Sequence, residues 1–279
     1  MMSRPLCIYH ANCPDGFTAA WIVHRYSAAS GVEVELYPGV YGTEPPDVKG
    51  RNVIMVDFTY PNDMMHQIAS QATSLVVLDH HQTAIANLVD VATSAVVLDM
   101  DRSGARLAWD YFYANFDSQV PDIVLHVEDR DLWRFNLPTT RAYFAALTSH
   151  PYTLEAWDAV AAQPLAEVVA EGEAIERYRQ RLIEQHVALA RPSTHPTGIE
   201  MPVVNCPYAI ASDVAGELAK SAPGKVAAYY FDDLAAGKRQ WGLRSAEDGP
   251  DVAKIAEGFG GGGHRHAAGF RTTIDPLGN

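Results

Sequence analysis

An acidic residue and two histidines, Asp79, His80 and His81, follow directly after the apolar run SLVVL. Imidazole and carboxylate groups suit Mn²⁺, Zn²⁺ or Fe²⁺, and a neighbouring carboxylate can fix the tautomer of a ligating histidine. Asp57 occupies the same place after the run NVIMV, one predicted strand earlier. Taken alone, the tripeptide is more simply interpreted as part of a surface loop. Asp57 taken alone is more simply interpreted as a turn residue or helix cap. Their combination favours a metal site.

Two more segments carry candidate ligands. His10 and Asp15 flank the loop HANCPDG, and Asp129 lies in the segment HVEDRD. A surface ion pair at a helix end would also explain Asp129. If Asp129 is instead a further carboxylate, four segments converge, and two divalent ions bridged by one carboxylate suit in-line displacement at phosphorus. Asp131 is close enough in sequence to be the fourth ligand in its place.

The glycine-rich segment 258–270, GFGGGGHRHAAGF, is the second chemical feature. Its four consecutive glycines have no side chains to bury and lose the most entropy on ordering, so we do not expect packing to explain them. They predict backbone N–H groups close to an anion, with His264 and its basic neighbours adding charge. A flexible loop before the last strand is the alternative. Arg244, at the end of QWGLR, is a further candidate anion ligand.

The elements that position these residues indicate an α/β protein. In the first half, short apolar runs alternate with amphipathic stretches, a pattern typical of βα units around a mainly parallel sheet. We predict a helix at 17–29 and strands at 5–9, 52–56, 74–78 and 95–98. Ligands gather beyond the carboxyl ends of such strands, so the polar residues that follow them are expected to share one edge of the sheet.

The second half predicts a long helix and a smaller α/β domain. Helix formers mix with charges at helical spacing from 164 to about 190, and RPSTHPTG then predicts a hinge or linker. A helix at 212–221 and strands at 201–205, 226–231 and 240–244 are predicted beyond it. The predicted division is a first domain at 1–163, a connecting helix and hinge at 164–198, and a second domain at 199–279.

Composition restricts the class of partner. The 279 residues include 34 acidic and 21 basic side chains, a formal net charge of −13. Coating long nucleic acid needs a broad basic surface, so only a short anionic substrate is expected. Three cysteines fit a reducing compartment and predict a cytoplasmic protein. The sequence contains no apolar stretch as long as a signal peptide or membrane span, so no membrane partner is expected, whereas a homo-oligomer is compatible with it.

With these motifs in this order, the sequence resembles the DHH/DHHA1 phosphoesterases, the superfamily of RecJ exonucleases, bacterial nanoRNases, cyclic di-AMP phosphodiesterases and, more distantly, family II pyrophosphatases. HANCPDG, VDFTY, LDHH and VEDRD resemble the family's first to fourth motifs. GLRS and GGGHRHAAGF resemble the substrate-binding strand and glycine loop of the DHHA1 domain. The resemblance covers nearly the whole chain. It implies an N-terminal DHH domain with a mainly parallel sheet, a connecting helix, and a smaller C-terminal α/β DHHA1 domain.

The resemblance also implies residue roles and a cofactor. Two divalent ions are implied, with Mn²⁺ first and Mg²⁺ or another divalent ion as the alternative. Catalysis would use Asp57, and His81 in contact with the scissile phosphate. The implied metal ligands are His10, Asp15, Asp57, His80 and Asp129, the last preferred over Asp131 on motif alignment. The implied substrate-binding residues are His81, Arg244, Ser245, Gly262, Gly263 and His264.

The first motif departs from the family pattern. Family members usually carry two aspartates two residues apart, whereas this chain has Asn12 or Cys13 near the place of the first one, and one extra residue in the loop. One metal position is therefore expected to be weaker, selective for another ion, or occupied only with substrate.

These features predict a metal-dependent phosphoesterase. Its expected substrates are phosphodiester or phosphomonoester bonds in short oligonucleotides or small nucleotides, which include linear and cyclic dinucleotides and 3′-phosphoadenosine-5′-phosphate. Nuclease activity on short chains falls within this class. Two alternatives stay open: an exopolyphosphatase- or pyrophosphatase-like hydrolase, which needs more cations around the cleft, and a non-catalytic nucleotide-binding module. The presence of both Asp57 and His80 favours the enzyme.

Overall fold

The computed structural model describes residues 4–116, 119–194 and 196–274. The chain divides into two compact units, with the boundary between Glu176 and Arg177. Among the described residues, no helix combines the length and the apolar composition that a membrane crossing requires.

The first unit is built around a five-stranded sheet in which every strand pairing is parallel. The strands are β1 (Leu6–His10), β2 (Glu35–Gly39), β3 (Asn52–Val56), β4 (Ser74–Asp79) and β5 (Ala95–Leu98), in the order β2-β1-β3-β4-β5. The sequence predicts all of them except β2. Pro38 argues against a strand in ELYPG, but β2 lies at the sheet edge, where proline is tolerated.

Helices pack on both faces of this sheet, some of them directly and others against those helices. In chain order, the helices in this part of the chain are α1 (Pro14–Ala29), α2 (Asn62–Gln71), α3 (Gln82–Asn87), α4 (Gly104–Tyr113), α5 (Asp122–Asp131), α6 (Thr140–Ser149), α7 (Leu154–Ala161) and α8 (Leu165–Leu189), which contains the boundary between the units. In β1, Cys7 packs into the apolar cluster that includes α1, α4 and α5, whereas Leu6 and Ile8 pack into the cluster that includes α2. Because strand side chains alternate between two buried faces, polar groups are left for the strand ends.

The second unit has a mixed six-stranded sheet in the order β10-β11-β9-β8-β7-β6. Its further elements are β6 (Arg191–Thr194), β7 (Glu200–Asn205), α9 (Tyr208–Ser221), β8 (Val226–Asp233), β9 (Lys238–Ser245), α10 (Val252–Glu257), β10 (Gly262–His264) and β11 (Ala267–Thr273). Helix α9 packs against one side of the sheet and α10 against the other. The predicted fold class, a mainly parallel α/β sheet followed by a second α/β part, is confirmed.

Part of the segment predicted to be a hinge or linker forms a strand. Residues 191–194, expected to belong to a hinge or linker, pair antiparallel with β7 as the edge strand β6. Pro192 does not prevent this, because an edge strand has one side without a ladder partner.

Candidate metal centre

The carboxyl ends of β1, β3 and β4 lie side by side in the parallel sheet and carry the candidate ligands. His10 is the last residue of β1, Asp57 follows β3, and His80 and His81 follow β4. The chain passes from β1 outward to β2 and then returns to β3 on the other side of β1. This reversal of strand order opens a crevice where ligands bind in α/β sheets. The structure therefore brings these polar segments to one edge, as the sequence predicts.

His10, Asp57 and His81 form a first cluster, in which one potential ligand atom from each residue lies within 4.8 Å of the others. Oδ2 of Asp57 is 3.4 Å from Nδ1 of His10, and Oδ1 is 3.7 Å from Nδ1 of His81. The Asp57 residue is only 1% exposed, and its Oδ2 accepts no hydrogen bond from the described residues. A buried carboxylate oxygen without a donor is costly, and a bound cation would offset that cost.

Asp15, His80 and Asp131 form a second cluster with the same 4.8 Å limit. Nε2 of His80 lies 3.6 Å from carboxylate oxygens of both Asp15 and Asp131. The same nitrogen is 3.0 Å from Oδ1 of Asp57, so the two clusters are joined through Asp57 and His80.

The pKa shifts of the cluster residues indicate that the site favours a bound positive charge. Burial raises the pKa of Asp15 well above its usual range, and the charges of Asp57 and Asp131 raise it further. Burial also opposes ionisation of Asp57, but contacts with the surrounding histidines lower the pKa of that carboxyl well below its usual value. Burial lowers the pKa of His80, but a hydrogen bond to Asp57 and the charges of Asp131, Asp57 and Asp15 raise it to about 10. A histidinium at His80 therefore balances part of the carboxylate charge that a divalent ion would neutralise.

Asp79 orients His81 and does not belong to either cluster. Its Oδ1 accepts hydrogen bonds from the backbone N–H groups of His80 and His81, at 2.7 and 3.1 Å. The same oxygen lies 2.8 Å from Nδ1 of His81. Burial lowers the pKa of His81, but Asp79 raises it overall. A carboxylate in this position fixes both the direction of the ring and its tautomer.

Backbone geometry places the carboxylates. Asp57 has a φ of 57°, a left-handed conformation that aspartate and asparagine tolerate better than most residues. The N–H groups of Gly104 and Ala105, at the start of α4, donate to Asp15 at 2.6 and 3.0 Å. A Cβ atom at Gly104 would lie 2.5 Å from Cβ of Asp57 and 2.9 Å from Oδ2 of Asp15. Ser103 does cap α4, but no local pattern indicates that the next residue borders the metal site.

We expect Gly104→Ala to weaken Mn²⁺ binding at least about tenfold, because either α4 or Asp57 must move to admit the methyl group. Isothermal titration of Mn²⁺ into the folded variant measures this. Gly224→Ala is the matched control, since its Cβ would meet only a side-chain carbon of Val226 at 3.7 Å. Wild-type affinity in Gly104→Ala would contradict the tight packing of α4 against the site.

Asp129 belongs to neither cluster. The predicted choice of Asp129 over Asp131 as a metal ligand is therefore corrected. The Asp129 carboxylate accepts hydrogen bonds from the backbone of Asn136 and Leu137 and from the hydroxyl of Thr140, at 2.8, 3.1 and 2.5 Å. It thereby holds the turn after α5. Residues two positions apart on a helix point about 200° apart, so Asp129 and Asp131 cannot both face the site. The structure places Asp131 beside His80.

The unusual first motif also has a defined geometry. Asn12 has a φ of 54°, and Cys13 is the residue that precedes α1. Burial raises the pKa of the Cys13 thiol, and the charges of Asp57, Asp131 and Asp15 raise it further, so the thiol is protonated. Within the described residues, neither Asn12 nor Cys13 is part of the two clusters.

Apart from His81, which belongs to the first unit, the predicted substrate residues lie in two strands of the second unit. Arg244 and Ser245 end β9, while Gly262, Gly263 and His264 make up β10, and β11 lies between these strands. The expectation that packing does not explain the glycines is wrong for two of them. A Cβ at Gly261 would lie 2.1 Å from the carbonyl oxygen of Gly269, and one at Gly263 would lie 2.4 Å from that of Ala267.

The sequence matches no protein-family model. It is 26% identical over 281 residues to the uncharacterized protein R106 of Acanthamoeba polyphaga mimivirus, an alignment that covers 94% of this chain and 66% of that protein. This chain therefore spans slightly less than two thirds of the length of that relative.

Several solved structures share the fold at low identity. A DHH domain from a member of a family of ribosomal proteins has a TM-score of 0.59 at 11% identity, over 97% of this chain and 83% of that chain. RecJ in complex with Mn²⁺ from Thermus thermophilus has a TM-score of 0.53 at 17% identity, over 98% of this chain and 50% of that chain. The pGpG-specific phosphodiesterase PggH from Vibrio cholerae has a TM-score of 0.51 at 11% identity, over 98% of this chain and 94% of that chain. The chain has the fold of RecJ and the DHH-domain proteins, as its ordered motifs predict.

Proposed function

We propose that this chain is a metal-dependent phosphoesterase that hydrolyses phosphodiester or phosphomonoester bonds of short oligonucleotides or small nucleotides. The observation that carries the proposal is the pair of largely buried carboxylate–imidazole clusters joined by the 3.0 Å contact between Asp57 and His80. The fold is shared with a RecJ structure that holds Mn²⁺ and with a pGpG-specific phosphodiesterase. Because the chain spans less than two thirds of its curated relative and half of RecJ, substrates and partners of the whole protein belong to this proposal.

The donor set fits divalent ions. Under the proposal, His10 and Asp57, in the cluster that also contains His81, would hold one ion, and Asp15, His80 and Asp131 would hold the second. Asp57 is suited to serve both, because Oδ2 faces His10 and Oδ1 faces His80. Imidazole and carboxylate ligands are compatible with Mn²⁺, the ion that we propose, and Mg²⁺ or another divalent ion is the alternative. When bound, such ions polarise phosphoryl oxygens and lower the pKa of water.

The remaining roles belong to the chain's own side chains. His81, oriented by Asp79, would donate a hydrogen bond to the scissile phosphate as its negative charge develops. Arg244 and His264, with Ser245 and the glycines of β10, would hold the nucleotide. The net charge of −13 favours a short substrate with few phosphates. The free cysteines among the described residues support the proposal of a reducing, cytoplasmic setting.

A substrate panel tests the proposal. The full chain is assayed with Mn²⁺ against linear diadenylate, cyclic di-AMP, 3′-phosphoadenosine-5′-phosphate and polyphosphate, and the products are separated by ion-exchange chromatography. We expect turnover of at least one nucleotide and complete loss of activity in EDTA. Hydrolysis of polyphosphate alone would favour the exopolyphosphatase alternative. Nucleotide binding without turnover under any metal would favour the non-catalytic module.

We expect Arg244→Ala to raise KM strongly and to leave Mn²⁺ affinity unchanged. A charge-assisted bond to phosphate contributes about 1.5 to 3 kcal/mol, or about 10- to 150-fold in kcat/KM. Steady-state kinetics and Mn²⁺ titration of the same variant measure the two effects. Arg239→Ala is the control, since this arginine lies on the same strand and pairs with Asp232 at the surface. Weakened metal binding with an unchanged KM would place Arg244 in the wrong role.

A further inference from the structure

Two side chains of the second unit interact with the Arg244 guanidinium, one of them by a direct hydrogen bond, and have no role in the proposed function. Nη2 of Arg244 donates a hydrogen bond of 2.9 Å to Oγ of Ser212, on α9. Tyr229, on β8, is next to the same groups. Burial raises the pKa of its phenol, while the charge of Arg244 and a hydrogen bond with Ser212 act in the opposite direction. A hydroxyl can accept one hydrogen bond and donate another, so Ser212 links the guanidinium to the phenol.

The sheet is shaped to admit this contact. Tyr229 pairs with Gly242 across β8 and β9, and a Cβ atom at Gly242 would lie 2.0 Å from Cζ of the tyrosine ring. Glycine at this position therefore lets the ring lie flat over β9. Gly242 and Arg244 are two residues apart and so share a face of the strand. The tyrosine ring thus lies over the strand position that precedes Arg244 on that face.

The strands themselves offer little support to the long arginine side chain. Its register partners on the two neighbouring strands are Ala227 on β8 and Ala267 on β11. A methyl group cannot restrain a guanidinium several bonds away. Ser212, through its hydrogen bond, and Tyr229, through its interaction with both groups, do restrain it.

Helix α9 is itself fixed in place. Ala211 and Val214 are buried in the apolar cluster under α9. Arg179, on α8, donates to the carbonyl oxygen of Ala209 and to the carboxylate of Asp213, both at 3.0 Å. These contacts on either side of Ser212 hold its hydroxyl at a constant place relative to β9.

We infer that Ser212 and Tyr229 are positioning residues that set the direction of the Arg244 guanidinium toward a phosphate group of the nucleotide. The inference rests on the proposed function, which makes Arg244 a substrate contact. The planar guanidinium binds phosphate through N–H groups in a fixed geometry, so its orientation matters as much as its charge. Ordering the side chain before the ligand arrives reduces the entropy lost on binding.

The test measures binding of AMP to the full chain in EDTA by isothermal titration. We expect Arg244→Ala to weaken AMP binding by about 10- to 150-fold. Ser212→Ala should weaken it by about 5- to 10-fold and Tyr229→Phe by about 2- to 5-fold, because the tyrosine acts through the serine. Ser212→Thr keeps the hydroxyl and should restore binding to within about twofold of wild type. Ser221→Ala is the control on the same helix, where the hydroxyl donates to the carbonyl oxygen of Leu218 within its own helix.

A double-mutant cycle separates positioning from a general structural role. If Ser212 acts through Arg244, the double variant Ser212→Ala/Arg244→Ala should bind AMP no more weakly than Arg244→Ala alone. Equal weakening by Ser212→Ala in both backgrounds would overturn the inference, as would unchanged AMP binding in Ser212→Ala beside a weakened Arg244→Ala. If Ser212→Ala does not fold, the same cycle with Tyr229→Phe decides in the same way. Wild-type AMP binding by Arg244→Ala would instead contradict the substrate role of Arg244 in the proposed function.

Discussion

Asp57→Asn is expected to abolish turnover and most Mn²⁺ binding while the chain stays folded. Asp57 contributes an oxygen to each side of the site, with Oδ2 near His10 and Oδ1 near His80. Asparagine has nearly the same shape but no negative charge, so both proposed ions lose a charged ligand at once. The loss of kcat should therefore span orders of magnitude rather than a factor of two.

The structure shows why asparagine is the better substitution at this position. The φ of 57° is accessible to asparagine, whereas alanine in the left-handed region costs roughly 1–2 kcal/mol. The backbone N–H of residue 57 donates to the carbonyl oxygen of Leu78 at 2.9 Å, and this bond survives either change. Asp57→Ala should thus lose activity and stability together. Steady-state kinetics, Mn²⁺ titration and thermal unfolding of both variants check this, and normal turnover by Asp57→Asn would contradict the metal assignment.

Asp131→Asn and Asp129→Asn are expected to have opposite effects, although the two residues lie on the same helix. Asp131→Asn should weaken Mn²⁺ binding and turnover strongly, because its carboxylate lies with Asp15 and His80 in the second cluster. Its effect on the unfolding free energy of the metal-free chain should be small, since it removes one of several crowded negative charges.

Asp129→Asn should instead destabilise the fold by about 1.5–3 kcal/mol, because a carboxylate that accepts three hydrogen bonds becomes an amide that also presents donors. Its Mn²⁺ affinity should stay near that of wild type. Urea unfolding in EDTA and Mn²⁺ titration of both variants provide the comparison. Loss of metal binding in Asp129→Asn, with Asp131→Asn unaffected, would restore Asp129 as the ligand.

Local patterns predicted the elements on which the site depends. Short apolar runs that end at Asp57 and Asp79 are strands because β-branched residues suit a sheet with two buried faces. Parallel strands share their carboxyl edge, so the clustering of aspartates and histidines follows from the strand pattern alone. The long helix α8 and the N-cap at Ser103 likewise depend on neighbours within a few residues.

Tertiary structure decided which of these groups meet. Asp129 and Asp131 are alike in sequence, and only the packing of α5 turns Asp131 toward His80 and Asp129 toward its own following turn. Gly104 borders Asp57 although 47 positions separate them in the sequence. Ser212 reaches Arg244 only because α9 packs over β8 and β9. Strand and helix propensities act over a few residues, whereas these contacts join distant segments, so they arise only when the sheets and helices have packed.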